Sequence, residues 1–233
     1  MIHDFRAYPF SIPFVRYLDE LDLDTPITFF VREHRTRKPT LLEAIADQIG
    51  FNPVGGSTQN YKAYDVHKSE AALGDYVKLA WWPKVTNGFF LRAETFYQFA
   101  SHVDETDLSG YRAYGGKSLH HQSHGESFFS LFQHRFNGNA IYLLDEPEAA
   151  LSPTRQLAFL TLLHDLLSEG NVQFIIATHS PILLGYPDAR IYQFDETGVE
   201  EIKYEETEHV QVTSYFLQHR EKMLADLFAE EEE

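Results

Sequence analysis

At 233 residues the chain is long enough to bury one substantial core, and its 43% hydrophobic and 23% charged residues are ordinary for a globular sequence. A formal charge of −16, from 35 Asp and Glu against 19 Lys and Arg, argues against general nucleic-acid binding by bulk electrostatics. The absence of Cys excludes disulfides and thiolate metal sites, and no apolar run approaches the roughly 20 residues that span a bilayer.

The opening MIHDFRAYPF lacks the basic start and apolar stretch of a signal peptide, so a cytoplasmic address is expected. Pro26 precedes the β-branched and aromatic run Ile27–Val31, which reads as a buried strand. A polar turn over residues 32–39 comes next, then a helix from Thr40 to Ile49. The helix sets positions 41, 42, 45, 46 and 49 on one face and stops at Gly50. Residues 51–75 show no sustained period and read as loop. Tyr76–Trp82 and Phe89–Arg92 read as strands on either side of a turn at Asn87-Gly88. Residues 94–103 read as a helix, 104–122 as an irregular linker, and 126–136 as a second helix.

Ile141–Leu144 reads as a buried strand. Ser152-Pro153 has the form of an N-cap with Pro at the first helical position, and the helix runs on to about Ser168. Gln173–Ala177 is another buried strand, 191–194 with 199–204 a closing hairpin, and 207–227 one or two helices. Strands alternating with helices imply an α/β fold with a mostly parallel sheet flanked by helices. Residues 1–229 read as a single domain and the acidic run 230–233 as a solvated tail.

The strongest chemical signal is Ile141-Tyr142-Leu143-Leu144-Asp145-Glu146. Four apolar strand residues deliver two adjacent carboxylates to the carboxyl edge of a sheet, where ligands bind in open α/β folds. Asp145 suits a Mg²⁺ ligand and Glu146 suits the orientation of an attacking water. About thirty residues on, Phe174-Ile175-Ile176-Ala177 ends in Thr178-His179-Ser180, which brings a histidine to the same edge. There His179 could hydrogen-bond a γ-phosphate and the attacking water.

In this order and spacing the segments resemble the nucleotide-binding domains of ABC-type ATPases. Residues 141–152 look like Walker B and D-loop, and Thr178-His179-Ser180 like the H-loop. Gln122-Ser123-His124-Gly125-Glu126-Ser127 resembles the LSGGQ signature: Ser123, Gly125 and Glu126 match, and His124 departs at the first glycine. A Ser hydroxyl and bare amides at a helix start bind phosphate. The chain is most similar to small stand-alone bacterial ATPases of the SMC- and RecF-like branch of the broad AAA grouping. The resemblance implies a P-loop NTPase-like fold with a small helical and antiparallel part. It also implies ATP and Mg²⁺ as cofactors, a head-to-tail homodimer, and coupling to a partner protein or a nucleic-acid process.

The Walker A position breaks the pattern. Where the family reads roughly GENGSGKST, this chain reads Arg32-Glu33-His34-Arg35-Thr36-Arg37-Lys38-Pro39-Thr40. Glu33, Lys38 and Thr40 match, while Arg32, Arg35 and Arg37 stand at the glycine positions and Pro39 at the Mg²⁺-binding Ser. Those glycines let backbone amides curl around phosphates. At the place of the Q-loop no Gln stands at the turn; Arg92 and Glu94 are the candidates. The pattern leaves two readings. One is an ATPase with Glu146 and His179 as catalytic residues, Asp145 on the metal, and Lys38, Thr40, Ser123, Gly125 and Glu126 on the nucleotide. The other is a dimeric scaffold with impaired nucleotide binding.

Overall fold

A computed structural model of the chain describes residues 8–32, 40–52, 55–57, 73–106, 110–112, 116–122, 124–136 and 138–229. The described strands are β1 (Ile27–Arg32), β2 (Gly88–Arg92), β3 (Ala140–Asp145), β4 (Val172–Ala177), β5 (Arg190–Phe194) and β6 (Val199–Ile202). The helices are α1 (Thr40–Ile49), α2 (Phe96–Thr106), α3 (His124–Arg135), α4 (Pro153–Glu169), α5 (Pro181–Leu184) and α6 (Glu208–Phe228). The strands form one sheet of order β2-β3-β4-β1-β5-β6. All pairings are parallel except that of β5 with β6, the closing hairpin.

The strand order explains the layers. The chain leaves β1 through α1 and crosses to β2 at the far edge. It then returns strand by strand, skipping over β1 to reach β5. Right-handed crossovers in opposite directions put their helices on opposite faces of the sheet. Side-chain alternation along the strands serves both layers. Phe30, Phe90, Leu143, Ile175 and Phe194 pack with Leu42 and Ile45 of α1. Phe29, Leu91, Tyr142, Leu144, Phe174 and Ile176 pack with Phe99, Phe128, Phe132, Phe159 and Leu163 of α2, α3 and α4. Much of the aromatic content is spent on that second face. Phe136 stacks on Tyr142 at 4.0 Å between centroids and Phe132 on Phe159 at 4.5 Å.

Sequence and structure part at residues 76–82. Tyr76 ends a short 3-10 turn, and beyond it Val77, Leu79 and Trp81 turn inward with period two onto the α1 layer. The segment pairs with no strand among the described residues; Gly88–Arg92 enters the sheet at this edge, and Gly56 adds a single antiparallel bridge to Phe90. Period-two burial results from lying along an apolar surface; it does not require a hydrogen-bonded neighbour. Gly88 is fixed by close approach: at φ 143° a Cβ there would lie 1.8 Å from the Ile141 carbonyl oxygen, so only glycine admits β2 to β3. Ser152 caps α4 through the Arg155 amide with Pro153 in the first turn, as read from the sequence. The expected C-terminal helices are one element, kinked at His219. No helix among the described residues is long and apolar enough to cross a membrane.

Candidate functional site

The ends of β2, β3 and β4 lie level with one another, and β1 runs on beside them for two further residues, to Arg32. Arg92 sits opposite Asp145 in the β2–β3 register, Asp145 opposite Ala177, and Ala177 opposite Phe30. Beyond the last pairs the ladder continues into the loops: Glu146 N–H donates to the Ala177 carbonyl at 2.9 Å and Thr178 N–H to the Phe30 carbonyl at 3.2 Å. The loops that carry Asp145, Glu146 and His179 are therefore extensions of a rigid sheet.

Glu146 adopts a left-handed backbone conformation, φ 51° and ψ 51°, directly before Pro147 and a short turn at Pro147–Ala150. For a non-glycine residue this costs about 1–2 kcal/mol. Strain of this kind clusters at functional sites. Its result is that Glu146 projects into solvent, 50% exposed, with Oε1 3.8 Å from His179 Nε2. His179 is held from two sides. Its backbone N–H donates to Glu148 Oε1 at 2.6 Å, and its Nδ1 lies 3.0 Å from His209 Nε2 at the start of α6. Ser180 anchors the next step, accepting from the Ile182 and Leu183 amides and donating to Gln156 of α4 at 2.6 Å.

Behind this pair lies a buried ion cluster. Each guanidinium nitrogen of Arg92 faces a different carboxylate: Nη1 meets Glu43 of α1 at 2.6 Å, Nη2 meets Glu94, and Nε lies 3.5 Å from Asp145 Oδ2. Arg92, Glu43 and Asp145 are all buried. Arg32, the last residue of β1, joins the same electrostatic group. Burial pulls its guanidinium below the ordinary arginine range, while Asp145, Glu146 and Glu43 oppose the shift and Arg92 reinforces it. The arrangement does not fit a hydrated Mg²⁺ held by Asp145. Arg92 already occupies the side of Asp145 Oδ2 that faces β2, and its charge opposes a divalent ion about 4 Å away by about 8 kcal/mol at the effective dielectric near a protein surface, against the attraction of the surrounding carboxylates. Among the described residues no group of three or more His, Asp or Glu is arranged to hold a metal.

Glu148 is the other buried carboxylate of the site. Desolvation raises its pKa above 4.5, against hydrogen bonds from the His179 amide and the Thr178 hydroxyl that lower it. Because the folded value is raised, the folded chain keeps this proton to higher pH than the unfolded chain does. The associated stability is present below the unfolded value and is lost as pH rises through the folded one. Glu148→Gln cannot ionise, so its melting temperature relative to the native protein is expected to climb from pH 4.5 towards neutrality. A pH-independent difference would show that Glu148 carries no burial penalty.

The sequence-predicted residues fall into three sets. Asp145, Glu146 and His179 come together at the sheet edge. Gly125 and Glu126 open α3 elsewhere, against the turn after β3. A Cβ on Gly125 would lie 2.5 Å from Arg155 Nη1 and 2.9 Å from the Ala150 carbonyl, and Arg155 Nη2 is 3.9 Å from Glu126. The signature-like segment is thus packed on the D-loop-like turn. Lys38 and Ser123 lie outside the described residues, and Thr40 opens α1. Arg92 and Glu94, the candidates at the Q-loop place, pair with each other, and Arg92 is buried. The sequence reading missed Glu43, Glu148 and His209. Glu43 had a signal, since it is an ionisable residue between the buried Leu42 and Ala44. His209 had none, because its only distinction is its proximity to His179.

Residues 124–184, from the start of α3 through Asp145, Glu146 and His179 to the end of α5, match the family described as AAA ATPase domain. The chain has a mostly parallel sheet flanked by helices, and its residues 124–184 are similar to AAA ATPase domains. Of solved structures, the Thermotoga maritima SMC head domain is 17% identical over 49% of this chain and 52% of that one, with a TM-score of 0.32. The Clostridium perfringens cbiO1 subunit, part of an ABC transporter complex, is 15% identical over 88% of this chain and 90% of that one, with a TM-score of 0.43. An SMC head bound to the C-winged helix domain of ScpA is 21% identical over 37% of this chain, with a TM-score of 0.31. The aligned part is 28% of that head's chain and 52% of the Thermotoga one, well short of two thirds of either. No curated protein matches this ATPase-like chain.

Proposed function

We propose that residues 1–229 form one cytoplasmic domain that binds and hydrolyses ATP, works as a head-to-tail homodimer, and couples closure of the dimer to a partner protein. The observation that carries the reading is the meeting of Glu146 and His179, 3.8 Å apart and both solvent-accessible, on loops fixed to the carboxyl edge of the sheet. A carboxylate and an imidazole so placed can orient and deprotonate one water between them. Glu146 takes the role of base. His179, held by Glu148 and His209, takes the γ-phosphate side. The start of α3 at Gly125 and Glu126 packs beside Ala150 and, in this reading, serves the nucleotide of a second copy. Ser123, Lys38 and Thr40 complete the nucleotide contacts in this reading.

The test is phosphate release from ATP by the purified protein. His179→Ala is expected to slow turnover by about ten- to a hundredfold, with ATP binding retained. Turnover that is indifferent to His179 would sink the proposed site.

A second reading has its own observation. Arg32 and Arg92 crowd Asp145 from two strands, so the domain could serve as a dimeric scaffold without turnover. Native protein that binds ATP, dimerises and releases no phosphate would favour it.

A further inference from the structure

Arg92 is the terminal residue of β2, and its guanidinium is enclosed on three sides by carboxylates from three elements. Glu43 comes from α1, Glu94 from the turn after β2, and Asp145 from the end of β3. Arg92 and Asp145 are register partners, so the two side chains leave adjacent strands at the same level. The contact is thus built into the sheet. A divalent cation would use the same carboxylates: it is drawn to buried oxygen donors of separate elements and would bridge them. Here the bridge exists and is an arginine, with Arg32 adding a second positive charge within the fields of Asp145, Glu146 and Glu43. A planar fork with donors fixed in three directions faces three carboxylates, hydrogen-bonding Glu43 and Glu94 and ion-pairing with Asp145, without the six-oxygen shell that Mg²⁺ demands.

We propose that the Arg92 guanidinium takes the place of the divalent cation at Asp145, so that the site accepts a nucleoside triphosphate as the metal-free species. Exclusion of the cation stands on the ion cluster alone; the nucleotide half rests on the proposed function. Arg92 is a positioning residue on this view. It holds Glu43 and Asp145 in the arrangement a metal would otherwise impose, and it repels any divalent ion carried in on the phosphates.

The experiment separates the two halves. Mn²⁺ serves as the probe, read by electron paramagnetic resonance on the full chain with and without ATP. Native protein is expected to hold no Mn²⁺ that Asp145→Asn releases, and Arg92→Gln is expected to gain a Mn²⁺ site that the added Asp145→Asn change abolishes. Native protein holding Mn²⁺ that is lost in Asp145→Asn would overturn the proposal, whether or not Arg92→Gln folds. A folded Arg92→Gln that takes up no Mn²⁺ would overturn it too. In parallel, calorimetric titration with ATP is run in EDTA and in Mg²⁺, and the two dissociation constants are expected to agree within about threefold. Binding that appears only with Mg²⁺ counts against the metal-free site. If ATP binds under neither condition while native protein still excludes Mn²⁺, the ATPase reading fails and the arginine bridge stands.

Discussion

Glu146→Gln is expected to lower ATP turnover by about two to four orders of magnitude while leaving ATP binding intact. That span corresponds to roughly 3–5 kcal/mol of lost transition-state stabilisation. The substitution is isosteric, and the backbone amide of Glu146, which bonds the Ala177 carbonyl, is untouched. The side chain is half exposed and packs against nothing that would collapse, so folding stability should move by no more than about 0.5 kcal/mol. The loss is of the carboxylate that accepts the proton of the attacking water, and His179 at 3.8 Å cannot both accept that proton and contact the γ-phosphate. A variant that binds but does not hydrolyse should accumulate the closed dimer, visible as a doubled mass by light scattering with ATP. Turnover within a few-fold of native would remove Glu146 from the chemistry.

The carboxyl edge was legible in the sequence because its logic is local. An apolar run from Ala140 to Leu144 can only be a buried strand, so Asp145 and Glu146 after it must emerge at the edge; the same holds for Phe174–Ala177 and His179. Helix α4 announced itself with its Ser-Pro start. The failures are non-local. Arg92 and Glu43 are 49 positions apart, and nothing short of the fold says that α1 brings a carboxylate under β2. Arg92 next to a nearby Glu94 looks the same in sequence whether exposed or buried. The extended stretch 76–82 failed for a related reason: alternation reports which side faces the core, whereas a strand needs a neighbour. His209 meets His179 only because the start of α6 packs beside the turn that leads into α5, a packing fact with no periodic trace.

Arg92→Met is expected to destabilise the fold by about 3–5 kcal/mol, the usual consequence of removing one partner from a buried ion cluster. Methionine roughly matches the arginine stem in volume, so little of the loss would come from a cavity. The cost arises from the carboxylates left behind. Glu43 and Asp145 are 8% and 7% exposed, and each would lose the guanidinium nitrogen that now faces it. Glu94 is 41% exposed and can turn to solvent, so it contributes little. Arg32 still supplies one positive charge to the group, which favours the lower end of the range. The source of the loss can be read from second-site changes. Neutralising a stranded carboxylate in Arg92→Met/Glu43→Gln or Arg92→Met/Asp145→Asn should recover part of the stability, so the double variants should be less destabilised than the sum of their single changes. Urea unfolding of the native, single and double variants measures this directly. A loss below about 1 kcal/mol, the ordinary worth of an exposed pair, together with additive double variants, would mean that water reaches the cluster and that Arg92 does not bridge these carboxylates in solution.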